Sequence, residues 1–230
     1  MEQIKTFSDQ RLDSYCAFCG GAPETRDHIP SKILLEKPFP ENLQVVPACW
    51  KCNQSFSLDE EYVACLIECT LHGTTNPTKL SRDKISKILS RKKSLRIRLE
   101  MAKARIDNNI YFQAEAKRVL NVILKLAQGH SRFETSESRL EEPILLWFKP
   151  LTVMSKAEKN KFFSGDELTL LPEIGSRSAQ RIMFDKQGVP RNHWVTVQPN
   201  NYRYSICHRP EGLRVRIIIR EYLACEIIWR

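Results

Sequence analysis

No apolar run in this chain of 230 residues is long enough to cross a bilayer, since a spanning helix needs about 20 consecutive apolar residues. The opening stretch, MEQIKTFSDQRLDSY, contains no apolar segment of the kind a secretory signal requires. There is no internal repeat and no low-complexity tract. No glycine-rich loop is available to cradle phosphate: LPEIGSRSAQR (171–181) offers a single glycine, and no nucleotide-binding motif occurs elsewhere. These absences lead to the expectation of a non-membrane, cytoplasmic protein. There its eight cysteines would stay reduced, so disulfides are not expected and a metal-binding role becomes the natural test of their spacing.

What remains is an ordinary globular composition, 42% hydrophobic and 27% charged, on a chain long enough for one large domain or two small ones. The net charge is +9, and it is localised. Residues 79–118 carry 13 Lys and Arg against four Asp and Glu, so the remainder of the chain is neutral. Such a segment is either a solvated helical face or a surface that meets phosphate. On the second reading Lys84, Lys87, Arg91, Lys92, Lys93 and Arg96 are the candidate nucleic-acid contacts.

Three regions follow, giving an α+β fold: a metal-stapled module over 1–75, a basic helical segment over 76–130, and an α+β domain with antiparallel strands over 131–230. In the first, RDHIPSKILLEKPFPENLQVVPACWKC reads as short strands broken by prolines, with FPEN as a turn. A helix follows, with Ser57-x-x-Glu60 as a capping box and Gly73 as its stop. The second region ends in an apolar stripe, Val119, Leu120, Ile123, Leu124 and Ala127, before Gly129, and SRFETSESRLEEP (131–143) reads as a connecting loop. In the third, Tyr202, Tyr204 and Ile206 alternate with Arg203 and Ser205, and LRVRIIIREYLACEIIW is rich in β-branched residues.

Cys16-x2-Cys19 and Cys49-x2-Cys52 are two close pairs separated by 29 residues. Each pair turns two sulfurs toward one point, and four thiolates close a tetrahedral Zn²⁺ site with no open position, hence a structural one. The interval between them holds Asp27-His28-Ile29-Pro30 and Asn42-Leu43, and Asn53 directly follows the last cysteine.

This ordered set resembles the HNH endonucleases of the ββα-metal fold, and within them the zinc-stapled bacterial type, over roughly residues 14–65. The resemblance implies a metal-dependent endonuclease hydrolysing phosphodiester bonds, with DNA expected as substrate and RNA left open, in bacterial genome defence or mobile-element biology. His28 matches the general base, Asp27 the first ligand of a catalytic Mg²⁺ or Mn²⁺, Asn42 the asparagine that ties the hairpin and orients the histidine, and Asn53 the helix-borne ligand. The chemistry agrees, because an imidazole titrating near ~6.5 can take a proton from water at physiological pH. Two departures stand out. The basic residue that many members carry a few positions after the last cysteine is replaced by Ser55 and Phe56, so phosphate contacts would come from Lys32, Lys51 or the basic helices. Asp59, Glu60 and Glu61 then follow, as helix-dipole complements or as acids approaching the metal. The alternatives are a non-catalytic zinc-dependent nucleic-acid-binding regulator, and a nuclease subunit whose C-terminal domain docks a larger protein partner.

Other residues read as structural. Cys65, Cys69 and His72 suggest core packing rather than a second metal site. His130 and His193 read as loop residues. Arg203, Arg214, Arg216 and Arg220 alternate along strands and could form a second basic face, and Trp194, Tyr202, Tyr204 and Trp229 are aromatic strand residues of the usual core type.

Overall fold

A computed structural model describes residues 14–107, 109–164, 170–173, 176–184, 187–191 and 194–230; His193 lies outside them. The protein is mixed α+β, and all its sheets are antiparallel. In chain order the elements are β1 (Thr25–Ile29), β2 (Gln44–Ala48), α1 (Trp50–Ser55), α2 (Ser57–His72), α3 (Asp83–Arg91), α4 (Lys93–Met101), β3 (Lys103–Ile106), β4 (Asn109–Phe112) and α5 (Ala116–Thr135). They continue with β5 (Leu145–Pro150), α6 (Lys156–Phe163), α7 (Arg177–Gln180), β6 (Met183–Phe184), β7 (Pro190–Arg191), β8 (Val195–Gln198), β9 (Tyr202–Arg209), β10 (Gly212–Ile219) and β11 (Leu223–Trp229). No helix among the described residues is long and apolar enough to cross a membrane.

Two compact units result: Met1–Ser55 with Ile123–Arg230, and Phe56–Val122. The sequence boundaries near 75 and 130 therefore differ from the divisions at 55 and 122, because the C-terminal half of α5 and the C-terminal sheet pack with the N-terminal hairpin.

In the first unit, five strands run in the order β5-β11-β10-β9-β8. β10 is buried along nearly its whole length, which its LRVRIII sequence reflects. The three-residue β10–β11 connection places Arg220 and Glu221 in the left-handed region (φ 58° and 46°), and Tyr222 N–H closes the turn on Ile219 O. One sheet face packs Ile218 and Ala224 against Met154 of the β5–α6 connection and Phe162 of α6. The other presents Tyr202 and Tyr204 of β9 to α5. His130 of α5 is fully buried there, stacked on Tyr204 at 3.7 Å, with its Nε2 2.8 Å from the Tyr202 hydroxyl and its Nδ1 3.2 Å from Gln44 Oε1. Burial holds its pKa well below the ordinary value, so this helix is wedged between the hairpin and the sheet by a neutral imidazole.

Gly129 does not stop the helix. α5 continues six residues further, through Thr135, so the first residues of the expected loop are helical and buried. The glycine serves close approach instead: a Cβ there would lie 2.5 Å from Ile29 Cδ1 and 2.6 Å from Cγ1. Gly129→Ala is expected to cost about 1–3 kcal/mol through overpacking against the fully buried Ile29, despite alanine's roughly 1 kcal/mol advantage in a helix. Urea unfolding measures it, and a stabilised variant would refute the close-approach account.

In the second unit, α2 ends as expected at Gly73 (φ 61°), whose N–H bonds back to the last turn. The expected capping box is absent. Phe56 is the N-cap and already has right-handed helical geometry, whereas a capping side chain needs an extended backbone. Cys65 and Cys69 are buried, and burial pushes both thiols up to about 12, so they are inert packing. Glu68, between them, accepts from Ser81 N, Ser81 Oγ and Arg82 N and pairs with His72, tying the following loop to α2.

Candidate functional site

The four cysteines of the two C-x2-C turns come together, with all their sulfurs within 4.8 Å of one another. Each turn is shaped by backbone bonds: Gly20 N–H to Cys16 O and Cys16 N–H to Gly21 O in the first, Asn53 N–H to Cys49 O in the second. Ala17 N–H donates to Pro47 O and Glu24 N–H to Ala48 O, so the first turn is fastened to β2, just before the second. Cys19 Sγ and Cys49 Sγ lie 3.8 Å apart. A tetrahedron with Zn–S bonds of about 2.3 Å has edges of about 3.8 Å, so the set fits a metal ion such as zinc. Without an ion, burial and the neighbouring thiols push Cys52 far up, because adjacent thiolates cannot all ionise uncompensated.

The clip feeds an antiparallel hairpin followed by a short helix: β1, β2, α1. Asp27 faces Val46 across the hairpin, and His28 faces Val45. Strand alternation puts Thr25, Asp27 and Ile29 on one side and Arg26 and His28 on the other. Asn53 of α1 donates its Nδ2 to Thr25 Oγ1 at 3.0 Å, on the side of the strand that carries Asp27. Asn42 is exposed in the turn before β2 and makes no hydrogen bond to the hairpin among the described residues. His28 is half-buried, and its Nδ1 is shielded from solvent without a hydrogen-bond partner among the described residues. Burial, then the charges of Lys32 and Lys125, lower its pKa, so the ring is neutral at physiological pH.

Asp27 is buried, and its Oδ2 lies 2.8 Å from Nζ of Lys125, a lysine only 1% exposed. Lys125 also donates to Ser31 Oγ at 2.9 Å and stands 5.8 Å over the Phe18 ring. Motif spacing alone does not mark Lys125 as part of the site. The signal was a lysine inside an apolar stripe, VLNVILKLAQG, at a position whose helical neighbours Val122, Leu126 and Gly129 are all buried.

A resident Mg²⁺ or Mn²⁺ does not fit the donor set. The single carboxylate assigned to it is already neutralised, and at an effective dielectric of about 20 a dication roughly 5 Å from an ammonium is repelled by about 7 kcal/mol. Of the acids that open α2, Asp59 and Glu61 are engaged within their own unit. Asp59 binds Arg118 at 2.8 Å and Asn121 at 2.7 Å, and Glu61 binds Lys92 at 2.7 Å.

No protein-family model matches the chain, and no curated protein or solved structure does. The likeness to HNH nucleases thus rests on the residue pattern and on the β–β–α order that carries it.

Of the basic candidates, Lys84, Lys87, Arg91 and Lys93 are exposed, Arg96 is half-buried, and Lys92 is held by Glu61. Lys51, in α1, is exposed. Among the described residues, the arginines that could have formed a second basic face on the C-terminal strands are engaged within the fold. Arg214 pairs with Glu226, and Arg216, fully buried, donates to the Phe162 and Ser164 carbonyls at 2.6 and 3.0 Å. Arg203 and Arg220 pair with Glu221 and Glu36. The carbonyls at the end of α6 need donors, and the strand arginines serve them.

Proposed function

We propose that the protein is an endonuclease of HNH type, hydrolysing phosphodiester bonds in DNA, with a role in bacterial genome defence or mobile-element biology. The ion assigned to the four-sulfur clip is zinc, in a structural role, since four thiolates leave no position for substrate. The observation that carries the reading is His28. It is a neutral imidazole on the first strand of a cysteine-clipped β–β–α hairpin, with a sheltered nitrogen that has no hydrogen-bond partner among the described residues. In this reading His28 takes a proton from water as the water oxygen bonds to phosphorus. The P–O3′ bond breaks and the departing oxygen takes a proton from solvent, leaving a 5′-phosphate and a 3′-hydroxyl. Lys51 and the exposed lysines and arginine of α3 and α4 supply backbone contacts that carry little sequence information and weaken steeply with salt.

The test is nicking of supercoiled plasmid by the zinc-loaded protein and by His28→Ala, with and without added divalent ion. The wild type is expected to nick, and His28→Ala to be slower by about 100-fold or more. Two proteins that both shift DNA on a gel, and neither of which nicks it, would overturn the enzyme reading. They would favour a DNA-binding module without catalysis.

The pH profile offers a second check. A base works only when unprotonated, and the pKa of His28 is displaced downward. The nicking rate is expected to be flat above about pH 6.5 and to fall only at more acid values. An acid limb above pH 7 would assign the base to another group.

A further inference from the structure

We propose that the ammonium of Lys125, and not a divalent ion, is the resident cation of Asp27, so that this carboxylate does not recruit Mg²⁺ or Mn²⁺. The inference deepens the nuclease reading only in naming Asp27 as the carboxylate a metal would otherwise use; the pairing itself stands on geometry.

Three features build the pair. On β1, Asp27 and Ile29 share a face, two residues apart. On α5, Lys125 and Gly129 share a face, four residues apart. Gly129, lacking a side chain, seats the helix directly on Ile29, and one turn earlier the same helix face delivers Lys125 Nζ to Asp27 Oδ2 at 2.8 Å. Ser31 Oγ accepts a further bond at 2.9 Å, and the Phe18 ring lies 5.8 Å from the ammonium. An ammonium that is 1% exposed cannot leave for solvent at small cost, nor can it touch DNA. Lys125 is therefore a positioning residue. It cancels the charge of a carboxylate that would repel an incoming phosphate, and it holds the strand that carries His28.

The test is Mn²⁺ titration of the zinc-loaded full chain, reading free Mn²⁺ by electron paramagnetic resonance, together with Tm in the presence and absence of Mn²⁺. Wild type and Lys125→Arg, which keeps the charge, are expected to bind no Mn²⁺ at millimolar concentration. Lys125→Met is expected to bind one ion at least about 100-fold more tightly than wild type, because the repelling charge is gone, and to gain Tm when Mn²⁺ is added. The double variant Asp27→Asn/Lys125→Met should lose both effects. If Lys125→Met folds poorly alone, Mn²⁺ present during refolding should restore it, and failure to do so overturns the proposal. A wild-type protein that binds one Mn²⁺, with that ion lost in Asp27→Asn, also overturns it. None of these readouts involves DNA cleavage, so an inactive protein would leave the result standing and sink only the nuclease reading.

Discussion

Cys52→Ser is expected to empty the four-sulfur site and unfold the hairpin that carries His28. A structural zinc contributes an apparent 10–16 kcal/mol, roughly, in small metal-folded modules, while whole domains are stable by only about 5–15 kcal/mol. Beyond the clip, its end of the hairpin is held by single hydrogen bonds: Thr25 Oγ1 to Ala48 O, Trp50 N–H to Glu24 Oε2 and Asn53 Nδ2 to Thr25 Oγ1. Its two cysteine turns touch through the Ala17–Pro47 and Glu24–Ala48 backbone bonds and the thiolate cluster itself. Metal content by atomic absorption, with amide dispersion in NMR spectra, measures the outcome. A metal-free variant that keeps the wild-type spectrum would show that the clip is dispensable. Acid should mimic the mutation in the wild type. The ligands are thiolates, so protons compete with the metal and release it as pH falls, and raising the pH with metal present should restore the fold.

Lys125→Met and Asp27→Asn are each expected to destabilise the protein by about 3–5 kcal/mol, and the double variant by clearly less than their sum. Either single change leaves a buried group without its counterpart: a carboxylate in the first, an ammonium in the second. That uncompensated charge, more than the attraction lost, sets the cost. Removing both takes away the two desolvation penalties together, so the cycle should show strong coupling. Urea unfolding of the four proteins in zinc-saturated, Mn²⁺-free buffer reads it. Additive costs would mean that the two groups do not depend on one another.

Local chemistry was legible in the sequence. C-x2-C turns, prolines and a strand-length DHI segment lie within a few residues of what they shape, so the clip and the order β1, β2, α1 follow from spacing. Alternation in YRYSI and the β-branched run after it likewise specify the C-terminal strands. Partners distant in the chain were not legible. Gly129 reads as a helix stop unless Ile29, 100 residues earlier, is known to lie against it. Lys125 interrupts an apolar stripe without naming the acid that receives it. Arg214 and Arg216 alternate as a solvent face would, yet α6 covers them, because its terminal carbonyls needed donors more than the strand needed water. Asp27 is legible as an acid next to a histidine; what it binds is decided by a helix that spacing alone cannot place.

The Asp27–Lys125 contact also bears on how this protein can be dissected. The motif that suggests a nuclease ends near residue 65, and cutting there would seem to preserve everything that matters. Such a fragment would keep the cysteines, His28 and Asn53, but it would carry Asp27 without its ammonium and Ile29 without the helix that covers it. A carboxylate that has lost its ammonium is an inviting cation site. Such a fragment is therefore expected to show a metal affinity that, on the proposed pairing, the intact chain lacks.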